Sequence, residues 1–504
     1  MYDRKAGALL HITSLPGPFG IGDLGPEAFR FADFLAEAGQ SLWQILPVGP
    51  LGYGYSPYQS PSTFAGNELL ISPEMLLKDG LASEEDLSAA YIDSPDAVRY
   101  ADVAKRKRIL LTKAFDHFRN GRSGVDGSEY DYFRSISAFW LDDYSLFAAI
   151  KHAHMQRSWT EWPHALASRN PDALSGARSQ LDFEIELEKF SQFVFFRQWH
   201  TLKEYCRSKG ISIVGDLPIY VAHDSADVWS NPHLFHLDNH GNPTIVAGVP
   251  PDYFSKTGQR WGNPIYRWDV MRENGFSWWT ERIRMILSIV DIVRLDHFRA
   301  FDAYWAVPAS EETAENGEWI GGPGQFFFDV LRERLGPIPL IAEDLGLVTD
   351  GVIELINANG FPGMAILEFA FDSGPSNKFL PHNYPRNIVA YSGTHDNDTV
   401  AGWLSSNRST QDESTVQQIR EYARRYLGEC RDDQMHKAFV RALYASVADT
   451  VVIPVQDFLG LGGDARMNEP GTLKGNWLWR MRRDALTTDL AVELRSLTET
   501  FGRR

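Results

Sequence analysis

Eight short apolar, β-branched runs that stop abruptly in polar or charged residues constrain this chain more than any other feature. They lie at 7–13 (GALLHIT), 41–47 (SLWQILP), 211–216 (ISIVGD), 291–296 (DIVRLD), 340–343 (LIAE), 364–371 (MAILEFAF), 388–392 (IVAYS) and 450–455 (TVVIPV). Runs of this kind are buried on both faces, the pattern of parallel strands covered by helices. Helix-period segments alternate with them, for example at 26–38, 277–287 and 325–335. Such alternation predicts an α/β fold, a closed (β/α)8 TIM barrel in preference to an open sheet.

With 504 residues, the chain has more length than eight strand–helix units need. The excess is concentrated. Roughly 160 residues separate the second and third runs, far beyond one crossover helix. That stretch has helical periodicity at 97–119, 142–154 and 184–209, so 54–185 reads as a mainly helical insertion on the barrel rim. A Gly-, Pro-, Asn- and aromatic-rich segment, 222–268, reads as a loop, and 397–448 as a second helical insertion. Without repeats, low complexity or a linker, the expectation is one catalytic barrel domain over 1–504.

The formal charge of −17 repels phosphate backbones and anionic membranes, so neither nucleic acid nor a membrane surface is an expected partner. The basic run 105–108 (KRKR) reads as a solvated helix face. Two cysteines, Cys206 and Cys430, exclude a disulfide framework and have no metal-type spacing. The first residues (MYDRK) lead into no apolar signal core, and no stretch of about 18 uncharged apolar residues occurs, so a cytoplasmic location is expected. Aromatic residues make up 13% of the chain. Most must be core, but those among Gly, Pro and Ser in loops have flat apolar faces suited to pyranose rings.

In barrels of this type the chemistry sits where the strands end. Asp216, Asp296 and Glu343 close their runs, and Asp396 follows its run by four residues. Along 293–296 (VRLD), strand alternation points Arg294 and Asp296 to the same face. A guanidinium beside a carboxylate keeps it ionised, the state a nucleophile needs; a structural ion pair would look the same. Glu343 could act as a general acid if burial or a second carboxylate raised its pKa, or it could cap a following helix. Two carboxyl groups about 5–5.5 Å apart define a retaining glycosidase, and about 6.5–9.5 Å an inverting one. The cluster 394–398 (THDND) admits a metal reading, but adjacent residues rarely converge on one ion and turn chemistry suits them better. No cofactor and no metal are expected.

Seven segments carry a resemblance: 55–67 (YSPYQSPSTFAGN), 215–229 (GDLPIYVAHDSADVW), 248–268 (GVPPDYFSKTGQRWGNPIYRW), 291–301 (DIVRLDHFRAF), 341–346 (IAEDLG), 392–403 (SGTHDNDTVAGW) and 466–480 (RMNEPGTLKGNWLWR). Together they resemble amylomaltase, the 4-α-glucanotransferase branch of the α-amylase superfamily, from about residue 7 to 480. The resemblance implies Asp296 as nucleophile, Glu343 as acid/base and Asp396 as the carboxylate that grips the sugar hydroxyls. It implies that Arg294, His297 and His395 hold the nucleophile and the donor ring, with Asp216 as support. Ser56, Tyr58, Asp344 and Asn468 fall at positions that line sugar subsites. The segment 248–261 resembles a lid over the acceptor side, with Tyr253, Phe254, Gln259 and Trp261 suited to a glucan.

The implied activity is transfer of an α-1,4-glucan segment, through a covalent glucosyl-aspartate, to the 4-hydroxyl of another glucan or of glucose. The same barrel could instead support an α-1,4-glucan hydrolase or a non-catalytic glucan-binding protein. A closed lid would favour transfer by keeping water from the intermediate. Two positions depart from the family pattern: Ala300, where Gly is expected, and Tyr55, where a small or acidic residue is common. After residue 480 only a short helical tail is expected, with no C-terminal β-domain, which fits the same branch.

Overall fold

A computed structural model describes residues 4–251, 255–405, 413–428, 431–472 and 474–503. Its named strands are β1 (Lys5–Leu9), β2 (Leu42–Gln44), β3 (Ser212–Pro218), β4 (Ile245–Val249), β5 (Gln259–Pro264), β6 (Ile292–Asp296), β7 (Ala303–Pro308), β8 (Glu318–Gly321), β9 (Leu340–Ala342), β10 (Gly363–Ile366), β11 (Ile388–Tyr391) and β12 (Thr450–Pro454). Eight of them pair in parallel in the order β10-β11-β12-β1-β2-β3-β6-β9. These are the eight runs read from the sequence, and they form a (β/α)8 barrel. Its seam lies between β9 and β10. There Ala342 N–H donates to Pro362 O at 2.9 Å, and Met364 N–H to the Asp344 carboxylate at 2.7 Å.

The barrel's interior is a core of its own. Leu9, Leu42, Val214, Ile341, Met364, Ile366, Val389, Tyr391 and Val452 fill it, and each is nearly inaccessible to solvent. β1 approaches β2 so closely that a Cβ on Gly7 would lie 2.4 Å from that of Leu42, so only glycine fits there. Outside the barrel, apolar faces of helices such as Pro26–Glu37, Ser277–Ile289 and Gly324–Leu335 cover the strands. Most of the aromatic content is spent on this outer core: Trp43, Trp199, Trp229 and Trp279 are fully buried.

Between β2 and β3 the helices Tyr100–Arg119 and Gly127–Ala153 build the rim insertion, and Asp182–Ser208 runs back to the barrel. Trp199 on that last helix donates its indole N–H to Ile289 O at 2.9 Å. In the basic run 105–108, Lys105 and Arg106 are exposed as expected, but Lys107 and Arg108 depart from the solvated-face expectation. Helical periodicity sets Lys107 beside the buried Val103, Leu110 and Leu111, and its ammonium donates to Ile71 O. Arg108 pairs with Glu188.

Two further expectations are corrected. The run 364–371 is a strand only to Ile366; a 3-10 turn, Leu367–Phe369, then carries the chain off the barrel top, where Glu368 N–H donates to Ser392 O at 3.2 Å. The segment 222–268 is not simply a loop. β4 and β5 form a hairpin that joins β7 and β8 in a four-stranded antiparallel sheet, order β5-β4-β7-β8. Val246, Val307 and Ala314 bury the sheet's own small core. Glycine and proline density hid the short β-branched run at Ile245 and Val246.

Beyond β12 the described residues form the short helix Val455–Phe458, a 3-10 turn at Gly463–Ala465, loops and the helix Thr488–Thr500, with no further strand. Among the described residues no helix is long and apolar enough to cross a membrane.

Arg282 ties the top of β3 to the helix behind it. Its buried guanidinium donates to Thr63 Oγ1 at 2.7 Å, Pro218 O at 2.6 Å, Ile219 O at 2.8 Å and Tyr266 OH at 3.2 Å. It also lies 4.6 Å from the Trp279 ring. Arg282→Met leaves two carbonyls without their donor, so unfolding free energy should fall by roughly 3 kcal/mol. Denaturant unfolding checks this; an unchanged midpoint would show that the acceptors find other partners.

Candidate active site

Asp216, Asp296 and Glu343 gather around Arg294 at the C-terminal end of the barrel, and Asp396 stands apart from them beside His395. β3 and β6 pair in register, Asp216 opposite Arg294 and Pro218 opposite Asp296. Arg294 Nη1 donates to Asp216 Oδ1 at 2.8 Å, Asp216 Oδ2 at 2.7 Å and Asp296 Oδ1 at 3.0 Å. The Asp216 side chain is wholly buried, whereas 30% of the Asp296 side chain is exposed. The two readings of 293–296 are therefore divided between two residues. Asp216 is the structural partner of Arg294, and Asp296 is the one open to the cleft. Burial pushes Asp216 up from the usual carboxylate range while Arg294 pulls it back. Despite its own burial, Arg294 is raised by Asp216 and then Asp296, so it stays charged.

Glu343 is not a helix cap. The next helix, Asp350–Asn359, is capped by Thr349, whose side chain accepts from Val352 N–H. The Glu343 carboxyl instead accepts two backbone amides, His297 N–H at 2.7 Å and Leu345 N–H at 2.8 Å. Burial pushes its pKa up to about 7, with the negative charge of Asp296 adding to the shift and Arg294 opposing it. His297 makes this grip possible through a left-handed backbone, φ 54°, which few non-glycine residues adopt. Its ring is half-buried, desolvation lowers its pKa to about 4, and it meets Trp261 edge to face with centroids 4.8 Å apart. Trp261 stands on β5, and its indole N–H donates to Gln259 Oε1 at 3.2 Å. The antiparallel sheet thus leans directly on the residue that holds Glu343.

On the opposite wall, 394–398 is a turn. Asn397 Oδ1 accepts Thr394 N–H and its hydroxyl, both at 2.9 Å. Among the described residues no set of three or more His, Cys, Asp or Glu side chains is arranged to hold a metal ion. Asp396 Oδ1 accepts from Asn468 Nδ2 at 2.6 Å and lies 3.4 Å from His395 Nε2. Tyr58 stacks on His395 with centroids 5.1 Å apart and donates its hydroxyl to Asp216 Oδ2 at 2.8 Å. Burial and then the charge of Asp216 hold that hydroxyl protonated by raising its pKa. Ser56 Oγ accepts Tyr58 N–H at 3.3 Å and so sets the turn that presents Tyr58. Asp344 belongs to the barrel seam, its carboxylate bound to Met364 N–H. Tyr253 and Phe254 lie outside the described residues.

Three side chains at the site were not singled out from the sequence. Arg466 donates to Asp396 O and to Asn468 O, both at 2.7 Å, and so ties the 394–398 turn to the segment that carries Asn468. Trp477, with φ 65°, brings its ring to 6.0 Å from His395 and 5.9 Å from Tyr58. His11, at the end of β1, is buried, and burial together with His395 lowers its pKa to about 3. Arg466 and Trp477 stand within the segment 466–480, so a residue-by-residue reading of that motif would have reached them. The departures from the family pattern are accommodated: Ala300 is fully buried in a 3-10 turn, and Tyr55 stacks on Tyr100 at 4.5 Å.

The glycoside hydrolase 77 family model, described as 4-alpha-glucanotransferase, matches residues 10–487. The chain belongs to this family. A 4-alpha-glucanotransferase of Synechocystis sp. is 47% identical, with 100% of this chain and 99% of that protein covered. One from Thermus thermophilus is 46% identical, with 99% of each covered. Among solved structures, amylomaltase from Streptococcus agalactiae in complex with acarbose superposes with a TM-score of 0.93 at 39% identity, covering 99% of each chain.

The ion pair at the centre of this 4-alpha-glucanotransferase family member makes a definite prediction. Arg294→Met leaves Asp216 buried without its counter-charge and should destabilise the fold by about 3–5 kcal/mol. Adding Asp216→Leu should recover more than half of that loss, because a buried pair is replaceable by apolar groups of similar volume. Denaturant unfolding of the three variants decides it. Additive losses in the double variant would show that the pair does not act as a unit.

Proposed function

We propose that this chain is a 4-α-glucanotransferase that works by retaining double displacement. One observation carries the reading. Glu343, held by two amides and raised to about 7, shares a cleft with Asp296, whose Oδ1 is bonded to a charged arginine. This is the division of labour a glycosyl transfer needs: one carboxyl group able to give a proton, another able to attack.

In the first step a carboxylate oxygen of Asp296 attacks the anomeric carbon of an α-1,4-linked glucosyl unit. The glycosidic C–O bond breaks, and Glu343 gives its proton to the departing 4-oxygen. The glucan is then held as a β-linked ester on Asp296. In the second step the 4-hydroxyl of another glucan, or of glucose, gives its proton to the Glu343 carboxylate as its oxygen attacks the same carbon and releases Asp296. Asp396, fixed by Asn468 and beside His395, is placed to bind hydroxyls of the donor ring and favour its distorted form. Asp216 and Arg294 keep Asp296 in position. Tyr58, Ser56, Asn468 and Asp344 frame the subsites, and Gln259 and Trp261 of β5 line the acceptor side.

Transfer in preference to hydrolysis follows from Trp261. In this reading Trp261, in contact with His297 beside the catalytic carboxylates, shields the acceptor side, where a bound glucan presents its hydroxyl at high effective concentration and water is kept away. Maltotriose should therefore give glucose and a ladder of longer maltooligosaccharides, with reducing ends nearly constant. A steady rise in reducing ends without longer products would identify a hydrolase. Asp296→Asn should abolish turnover and still bind glucan; a retained wild-type rate would remove Asp296 from the nucleophile's role.

The acid carries a pH signature. Glu343 must be protonated to start the reaction, so kcat/KM for maltotriose should be maintained below about pH 7 and fall as pH rises through that value. A profile flat from pH 6 to 9 would contradict this acid assignment.

A further inference from the structure

A cavity of about 570 Å3 opens between the rim insertion and the segment that leads into β4, away from the catalytic carboxylates. A second, of about 260 Å3, adjoins it. His233 lines both, and the ion pair between Arg169 of the first and Asp143 of the second, at 2.7 Å, spans them. The two cavities form one trough, and the larger alone has the volume of an ordinary small-molecule site, about 300–1,000 Å3.

The chemistry of the lining selects the ligand. Its charges are already used internally. Arg169 is bound to Asp143, Arg267 lies 3.3 Å from Asp269, and Asp238 accepts the amides of His240 and Asn242 at 2.8 and 2.9 Å. An ionic ligand would have to displace one of these bonds. The groups left free on the rim are exposed imidazoles, His164, His233 and His240, together with the exposed amide of Asn239. At the far end Phe139 turns an apolar ring outward, 54% exposed and braced edge-on by Phe64. An outward aromatic ring together with free hydrogen-bonding side chains suits a chain of hydroxyl-rich rings, with an apolar sugar face on Phe139 and hydroxyls on the imidazoles and Asn239.

Position supplies the second argument. The chain that forms the trough's inner wall, through Thr244, continues without a break into β4, whose hairpin partner β5 carries Trp261. The trough is therefore one hairpin removed from the cleft. We infer that it is a second carbohydrate site, which holds a remote stretch of an α-1,4-glucan while another stretch occupies the catalytic cleft. The ligand class rests on the transferase reading given above. Two-point attachment raises the effective concentration of a long chain at the cleft, and a trisaccharide, which fills only one site, gains nothing.

The test is the double substitution Phe139→Ala with His233→Ala, both at exposed positions outside the catalytic machinery. kcat/KM on maltotriose should stay within about twofold of wild type, while KM for long amylose rises about tenfold, a loss of ~1.4 kcal/mol. Equal losses on both substrates, or no change on amylose, would overturn the proposal. A binding measurement reads the site without turnover. Asp296→Asn protein should bind two maltoheptaose molecules per chain by calorimetry, and one once the trough substitutions are added. One molecule per chain before those substitutions would also overturn it. Failure of maltotriose to disproportionate would count against the transferase reading alone, because the stoichiometry still decides the trough.

Discussion

The active end of this barrel depends on a single guanidinium. Arg294 projects from β6 into the strand ends and binds two carboxylates at once, one sealed away from water and one facing the cleft. A buried cation is costly unless its counter-charges are close and well oriented. Asp216 meets that demand with both oxygens and is itself steadied by the Tyr58 hydroxyl. The same bonds fix Asp296, raise Arg294 further from neutrality and temper the pKa of Glu343. Removing Arg294 would leave both carboxylates without the donor that holds them.

The second constraint runs through backbone, and it links the two sheets. His297 sits in a left-handed conformation so that its amide can reach Glu343, while its ring supports Trp261 of the antiparallel sheet. A shift of the hairpin would be felt at Glu343 through one residue. Arg466 performs a comparable service on the other wall by binding the carbonyls of Asp396 and Asn468. The carboxylates at the top of the barrel are thus braced by backbone contacts from loops far apart in the chain, which gives the site its geometry at little cost in side-chain freedom.

Much of this was legible in the sequence, for physical reasons that also mark where it stopped. All eight barrel strands could be read because parallel strands buried on both faces are nearly continuous apolar runs, and each ends where solvent begins. Strand alternation was enough to place Arg294 and Asp296 on one face. It could not divide them between ion pair and open carboxylate, because that depends on Asp216, which lies 78 residues away on the neighbouring strand. Glu343 was ambiguous for a similar reason. The amides that hold it come from Leu345, two residues on, and from His297 on a different strand end, and the second contact has no local signature. The β4–β5 hairpin of the antiparallel sheet was missed because glycine and proline interrupt its strands. Lys107 was misjudged because charge suggested solvent where helical phase dictated burial. The resemblance to amylomaltase named the site residues directly, but the reason each is held where it is comes from the fold.

The central claim is that Asp296 forms the covalent bond and Glu343 moves the proton. Glu343→Gln treated with α-maltosyl fluoride tests it most directly, since fluoride leaves without an acid and the altered side chain cannot activate the acceptor. Peptide mass spectrometry should then find one maltosyl unit attached at Asp296. An adduct on another residue, or none on folded protein that consumes the fluoride, would contradict the account.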